Sequence, residues 1–109
     1  MTYDAVRKIG LALPGVVEGT SYGTPALKIK AKLFVRLRPD LDAIVIPTSF
    51  EQREELMAGD PEKYFITDHY RDYPYMLVRL SKVGADEVRD LLRMAHRAAS
   101  AGKPKRSTG

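Results

Sequence analysis

The chain has 109 residues, 44% hydrophobic and 29% charged, with no cysteine and a formal net charge of +4. This is the make-up of one globular domain, and it excludes disulfides, thiolate nucleophiles and thiolate metal sites. Bulk basicity carries no argument either: Lys103, Lys105 and Arg106 crowd the C-terminus, while residues 1–99 hold fifteen Lys and Arg against fourteen Asp and Glu.

Residues 2–13 read as a helix. Val6, Ile9 and Leu13 recur at helical spacing, Thr2 is placed to cap, Asp4 suits the first turn, and Pro14-Gly15 stops it. Gly10 inside it points to close packing. Residues 15–26 are rich in Gly and Thr but lack the Lys-Ser/Thr of a phosphate loop and the Rossmann glycine spacing, so they read as turns and strand edges.

The most informative stretch is Leu27 to Arg38. Its odd positions are all apolar, and its even positions are all basic except Phe34. Strict alternation marks a strand with one dry and one wet face, and here the wet face carries Lys28, Lys30, Lys32, Arg36 and Arg38. Twelve residues are long for one strand, so a bend or hairpin near Ala31-Lys32 is expected. A three-residue loop would keep the basic residues on one face. A two-residue loop would set Lys30 opposite Leu33 and split them. No Gly or Asn is present to favour the two-residue turn.

Pro39-Asp40-Leu41-Asp42 is a turn, and Ala43–Ile46 a short strand ended by Pro47. A second helix is expected over 49–58, capped by Ser49 with Gln52 or by Thr48 with Glu51. Phe50, Arg53, Leu56 and Met57 share one side of it. Two more strands follow, Tyr64–Thr67 and Met76–Leu80, joined by a loop over 68–75 that holds three of the six tyrosines, His69, Arg71 and two acids. A last helix over 85–99 buries Val88, Leu91, Leu92, Ala95 and Ala99, with Asp86 and Glu87 early and Arg93, His96 and Arg97 late. His96 falls on its polar side and is expected to meet solvent. The order is α-β-β-β-α-β-β-α: an α+β domain over residues 1–99, an antiparallel sheet with helices packed on one face, and a flexible basic tail over 100–109.

Several of these segments, in this order and spacing, resemble the MmcQ/YjbR-like proteins. They are Leu13-Pro14-Gly15, Glu18 through Ala26, Lys32 through Leu37, Thr67-Asp68-His69-Tyr70, Tyr73-Pro74 and Leu77 through Leu80. The resemblance spans about residues 3 to 98. It implies a small α+β fold with a double-wing arrangement and a DNA-binding role, itself assigned by analogy of fold. Many relatives carry Gly where this chain has Ala31.

Two functions are open on these residues. One is a non-enzymatic DNA-binding or regulatory module, with Lys28, Lys30, Lys32, Arg36, Arg38 and Arg71 contacting the phosphates of double-stranded DNA, mostly without sequence preference. The other is a small-ligand or protein-binding module using a cleft between segment 15–26 and loop 68–75, which would gather Glu18, Ser21, Tyr22, His69 and Tyr70. Asp68, His69 and Asp72 are too sparse a set to imply a metal, and no cofactor or catalytic residue is expected. No apolar run approaches the ~20 residues of a membrane span, and no secretory leader pattern is seen. A soluble, cytoplasmic protein is the expectation, and its oligomeric state is left open.

Overall fold

The computed structural model describes residues 1–101. Three helices, α1 (Tyr3–Leu11), α2 (Phe50–Gly59) and α3 (Ala85–Ala101), accompany six strands. The strands are β1 (Val16–Ser21), β2 (Thr24–Ile29), β3 (Lys32–Arg38), β4 (Ala43–Pro47), β5 (Tyr64–Phe65) and β6 (Tyr75–Arg79), in the sheet order β1-β2-β3-β4-β6-β5, with every pair antiparallel. The expected α+β class holds, with one strand more than expected. β1 forms from the Gly- and Thr-rich segment and pairs with β2 over its full length. Of the expected tail, Ser100 and Ala101 continue α3; residues 102–109 lie outside the described residues.

The helices start and stop where their caps stand. The Thr2 hydroxyl accepts from Ala5 N at 3.2 Å, and Ser49, rather than Thr48, accepts from Gln52 N at 3.1 Å. Glu87 reaches back to Gly84 N at 3.1 Å, the reciprocal half of a capping box opening α3. Gly10 is needed for closeness: a Cβ there would lie 2.5 Å from Leu27 Cδ1, in the seam where α1 meets the sheet.

The core lies between one sheet face and the helices. Leu27, Ile29, Phe34, Val35, Ile44, Ile46, Met76 and Val78 meet Val6 of α1 and Val88, Leu92 and Ala95 of α3 there, all nearly or fully buried. The other face carries no α-helix. Its β4–β6 part is covered instead by the segment after β5, where Tyr70 packs on Ala43, Val45 and Leu77. β4 is thus buried on both sides, which suits its unbroken apolar sequence.

His96 departs from expectation. It is half-buried, its Nε2 donates to the Pro14 carbonyl at 2.8 Å, and its ring stands edge-on to Phe34 at 6.0 Å. It ties α3 to the turn after α1 instead of facing solvent.

Candidate functional site: a trough around Arg36

The register of β2 and β3 decides where the cations go. The connection is a two-residue turn of Lys30 and Ala31, both left-handed, with φ of +50° and +68°. The strand pair begins at Ile29 opposite Lys32, followed by Lys28 opposite Leu33. The next pair is Leu27 with Val35, so Phe34 is an extra residue on β3, a β-bulge. Phe34 and Val35 consequently both enter the core. The bulge re-phases the strand, so Arg36 and Arg38 join Lys28 and Leu33 on the helix-free face.

The five-cation wet face is therefore divided. Lys28 lies on the helix-free face, its side chain along Gly19 of β1. Lys30 stands in the turn, and Lys32 points toward the helix side beside Ala98 and Ala99. Arg38 is clamped by Asp40, with Nε to Oδ1 at 3.1 Å and Nη2 to Oδ2 at 2.9 Å. That pairing raises the guanidinium pKa above its ordinary value and lowers that of the Asp40 carboxyl. Arg71 is on an exposed rim, paired with Asp68.

Arg36 differs from all of these. It is half-buried and has no carboxylate within 4 Å among the described residues. Its Nε donates to Thr24 Oγ1 at 3.1 Å, and its Nη1 to the Tyr70 hydroxyl at 3.1 Å. Thr24 Oγ1 in turn donates to the Ser21 carbonyl at 2.8 Å, closing the β1–β2 turn of Tyr22 and Gly23. The centre of the Tyr22 ring lies 4.9 Å from the guanidinium carbon, a cation–π contact, and Tyr22 as a whole is 85% exposed.

Two cavities meet at this point. One, of about 370 Å³, is lined by Ser21, Tyr22, Leu33, Arg36 and the rings of His69, Tyr70, Tyr73 and Tyr75. The other, of about 470 Å³, is bounded by Arg38, Leu41 and Thr67 and shares Tyr22, Arg36 and His69 with the first. Together they form a trough over the helix-free face, floored by β3 and walled by the β1–β2 turn and the loop after β5. Burial, with Tyr70 adding, raises the Tyr75 phenol pKa, so Tyr75 is present as the neutral hydroxyl near neutral pH.

Of the expected cleft residues, Ser21, Tyr22, His69 and Tyr70 line the trough. Glu18 does not: it faces the helix side and accepts from Arg7 Nε of α1 at 2.6 Å. Among the described residues no three of His, Asp and Glu gather as a metal site.

Arg53 shapes the site without touching the trough. It is 5% exposed, yet it has no carboxylate partner among the described residues. Its Nη1 donates to the carbonyls of Tyr70, Tyr73 and Tyr75 at 3.0, 2.7 and 3.1 Å, and its Nη2 to that of Arg71 at 3.0 Å. A planar five-donor fork can serve several carbonyls at once, and their dipoles solvate the buried charge. The sequence signal for this role was an arginine on the same helix side as Phe50, Leu56 and Met57. Phe50 stacks on it at 4.8 Å.

An antiparallel six-stranded sheet with α-helices on one face and an aromatic, arginine-centred trough on the other defines a small α+β protein. The YjbR family model matches residues 11–98, and the chain belongs to the YjbR family. Comparison with curated proteins gives no match. Among solved structures, the chain is similar in fold to the crystal structure of Deinococcus radiodurans protein DR2400, described by the domain DUF419. The TM-score is 0.80 at 20% identity, covering 96% of this chain and 83% of that one.

Proposed function

We propose that the protein is a non-catalytic binding module that captures a small anionic ligand in the trough at Arg36. The carrying observation is a half-buried guanidinium held in place by Thr24 and Tyr70, roofed by Tyr22 and lacking an acidic partner among the described residues. Such a group is desolvated in part and pre-oriented, the state in which Arg binds oxyanions best. Binding rather than catalysis is favoured because His69, the histidine at the trough, has Tyr70 and Tyr73 rings as its close neighbours and forms no hydrogen bond with Ser21. The test is a set of amide-resolved NMR titrations with carboxylate and phosphate anions, on the wild type and Arg36→Gln. At least one anion is expected to shift residues 21–24, 36 and 69–75 saturably. Arg36→Gln should weaken it by about tenfold or more with little change in Tm. Unchanged binding in the variant would remove Arg36 from the site.

A second reading, phosphate contacts to double-stranded DNA, is favoured by one observation. Lys28, Lys30 and Lys32, around the β2–β3 turn, form no ion pair among the described residues. It extends the double-wing analogy of the family. Fluorescence anisotropy with labelled duplex, at several salt concentrations, tests it in a chain truncated after Ala101. Affinity that falls steeply with salt, and a shallower slope when the three lysines become Gln, would support it. Binding that vanishes with residues 102–109 would assign it to those residues instead.

A further inference from the structure

We infer that the ligand of the trough is an aromatic monocarboxylate: one flat ring bearing one carboxylate. The inference rests on the anion-binding reading of Arg36 and adds the class of ligand.

Charge sets the carboxylate. Arg38 is paired with Asp40 and Arg71 with Asp68, so Arg36 is the trough's one guanidinium with no carboxylate within 4 Å among the described residues. A phosphate monoester carries about −1.5 to −2 at pH 7 and would leave charge unmatched; a carboxylate carries one. Geometry agrees. With Nε given to Thr24 and one Nη1 hydrogen to Tyr70, two hydrogens on Nη2 and one on Nη1 remain. Two of them fit the two oxygens of a carboxylate. The Tyr70 oxygen accepts from Arg36, so its own hydrogen is free to be donated to the same anion.

The walls set the ring. Tyr22 and Tyr73 are large and exposed, at 85% and 56%, and Leu33 supplies an apolar patch beneath. Stacking of a flat ring uses this surface, and the cavity on this side of Arg36, about 370 Å³, has room for one.

Tyr22 supplies an independent sign. It holds φ at +52°, where Asn, Asp or Gly is favoured in a two-residue hairpin turn. A bulky residue in that conformation is strained, and strain of this kind persists where the side chain serves a purpose. Replacing Tyr22 by Asn should therefore relax the turn while removing the roof. A tyrosine kept only for folding would show the opposite.

The experiment is NMR titration of the full chain with benzoate, acetate, phenyl phosphate and inorganic phosphate, with Tm measured for each variant. Benzoate should saturate the trough resonances and bind about tenfold more tightly than acetate or either phosphate. Arg36→Gln should abolish this, and Tyr22→Asn should weaken benzoate about fivefold, leave acetate unchanged, and hold or raise Tm. A phosphate that binds more tightly than benzoate overturns the carboxylate class and leaves the anion reading standing. Acetate binding as well as benzoate overturns the aromatic part alone. Benzoate binding undiminished by Arg36→Gln overturns the proposed geometry. If none of the four saturates the trough, this inference is overturned and so is the anion reading it rests on.

Discussion

Ala31 and Lys30 hold left-handed φ values in a turn that Gly or Asn would occupy at little cost. Each L side chain there costs about 1–2 kcal/mol relative to the right-handed form. Ala31→Gly should stabilise the protein by about 0.5–1 kcal/mol, after the loss to unfolded-state entropy, with no change in the pairing of Ile29 with Lys32. Urea denaturation checks the energy and amide NMR the register; a destabilised variant would contradict the left-handed assignment. This position also shows where sequence reading stops. Nothing in the letters Lys-Ala announces positive φ, so the three-residue loop and the two-residue turn were both compatible with the pattern. Tyr22 was expected in a cleft between segment 15–26 and loop 68–75, and it lines the trough there. Its conformation was not legible.

At the scale of elements, the helices were readable and the sheet was partly so. Periodicity and caps at Thr2, Ser49 and Pro14-Gly15 placed α1 and α2 within about two residues. β1 was missed because Val-Val-Glu-Gly-Thr-Ser has weak alternation and a central Gly. Glu18 was misplaced with it, since its face is fixed only once β1 pairs with β2. The loop after β5 makes a short 3-10 turn over Asp68–Tyr70 with backbone bonds of its own, and Arg53 of α2 ties its later carbonyls together. Arg53→Met should remove the guanidinium bonds to four carbonyls, of which those of Tyr70 and Tyr73 keep a backbone N–H donor, and cost on the order of 2–4 kcal/mol. Hydrogen exchange should report it as faster exchange at residues 69–75, with α1 unchanged. Arg53→Lys keeps the charge without the planar fork and should fall between. A methionine variant as stable as the wild type would refute the bracing role.

Across the whole molecule, one of the ties between distant parts is pH-sensitive. Lys63, just before β5, pairs with Glu87 in the first turn of α3, joining the sheet's far edge to the helix layer. The Lys63 ammonium, then the Gly84 N–H, holds the Glu87 carboxyl below its ordinary pKa. The unfolded chain therefore binds this proton more readily. The stabilisation is full above the ordinary glutamate value, about 4.3, and is lost as pH falls through the lowered one. Glu87→Gln should lower Tm at pH 7, and its gap to wild type should narrow by pH 3. A gap that persists in acid would trace the effect to packing instead of charge. The near balance of charge over residues 1–99 was legible in composition. Which cations find a carboxylate, and that Arg36 at the trough does not, needed the fold.

The bulge at Phe34 has an evolutionary side. Substitution at any one position of β3 changes a side chain and leaves the phase intact. Deletion of Phe34 itself would remove the bulge and leave Leu33 opposite Lys28, Val35 opposite Leu27 and Arg36 opposite Ala26, so Arg36 would keep its face while the core lost a fully buried ring. The face of Arg36 is thus held by its pairing with Ala26 and Val45 and not by the bulge residue. Lineages carrying this trough should keep a large apolar residue at position 34, where the side chain is fully buried, and a shorter β3 without the bulge should still present Arg36 on the same face.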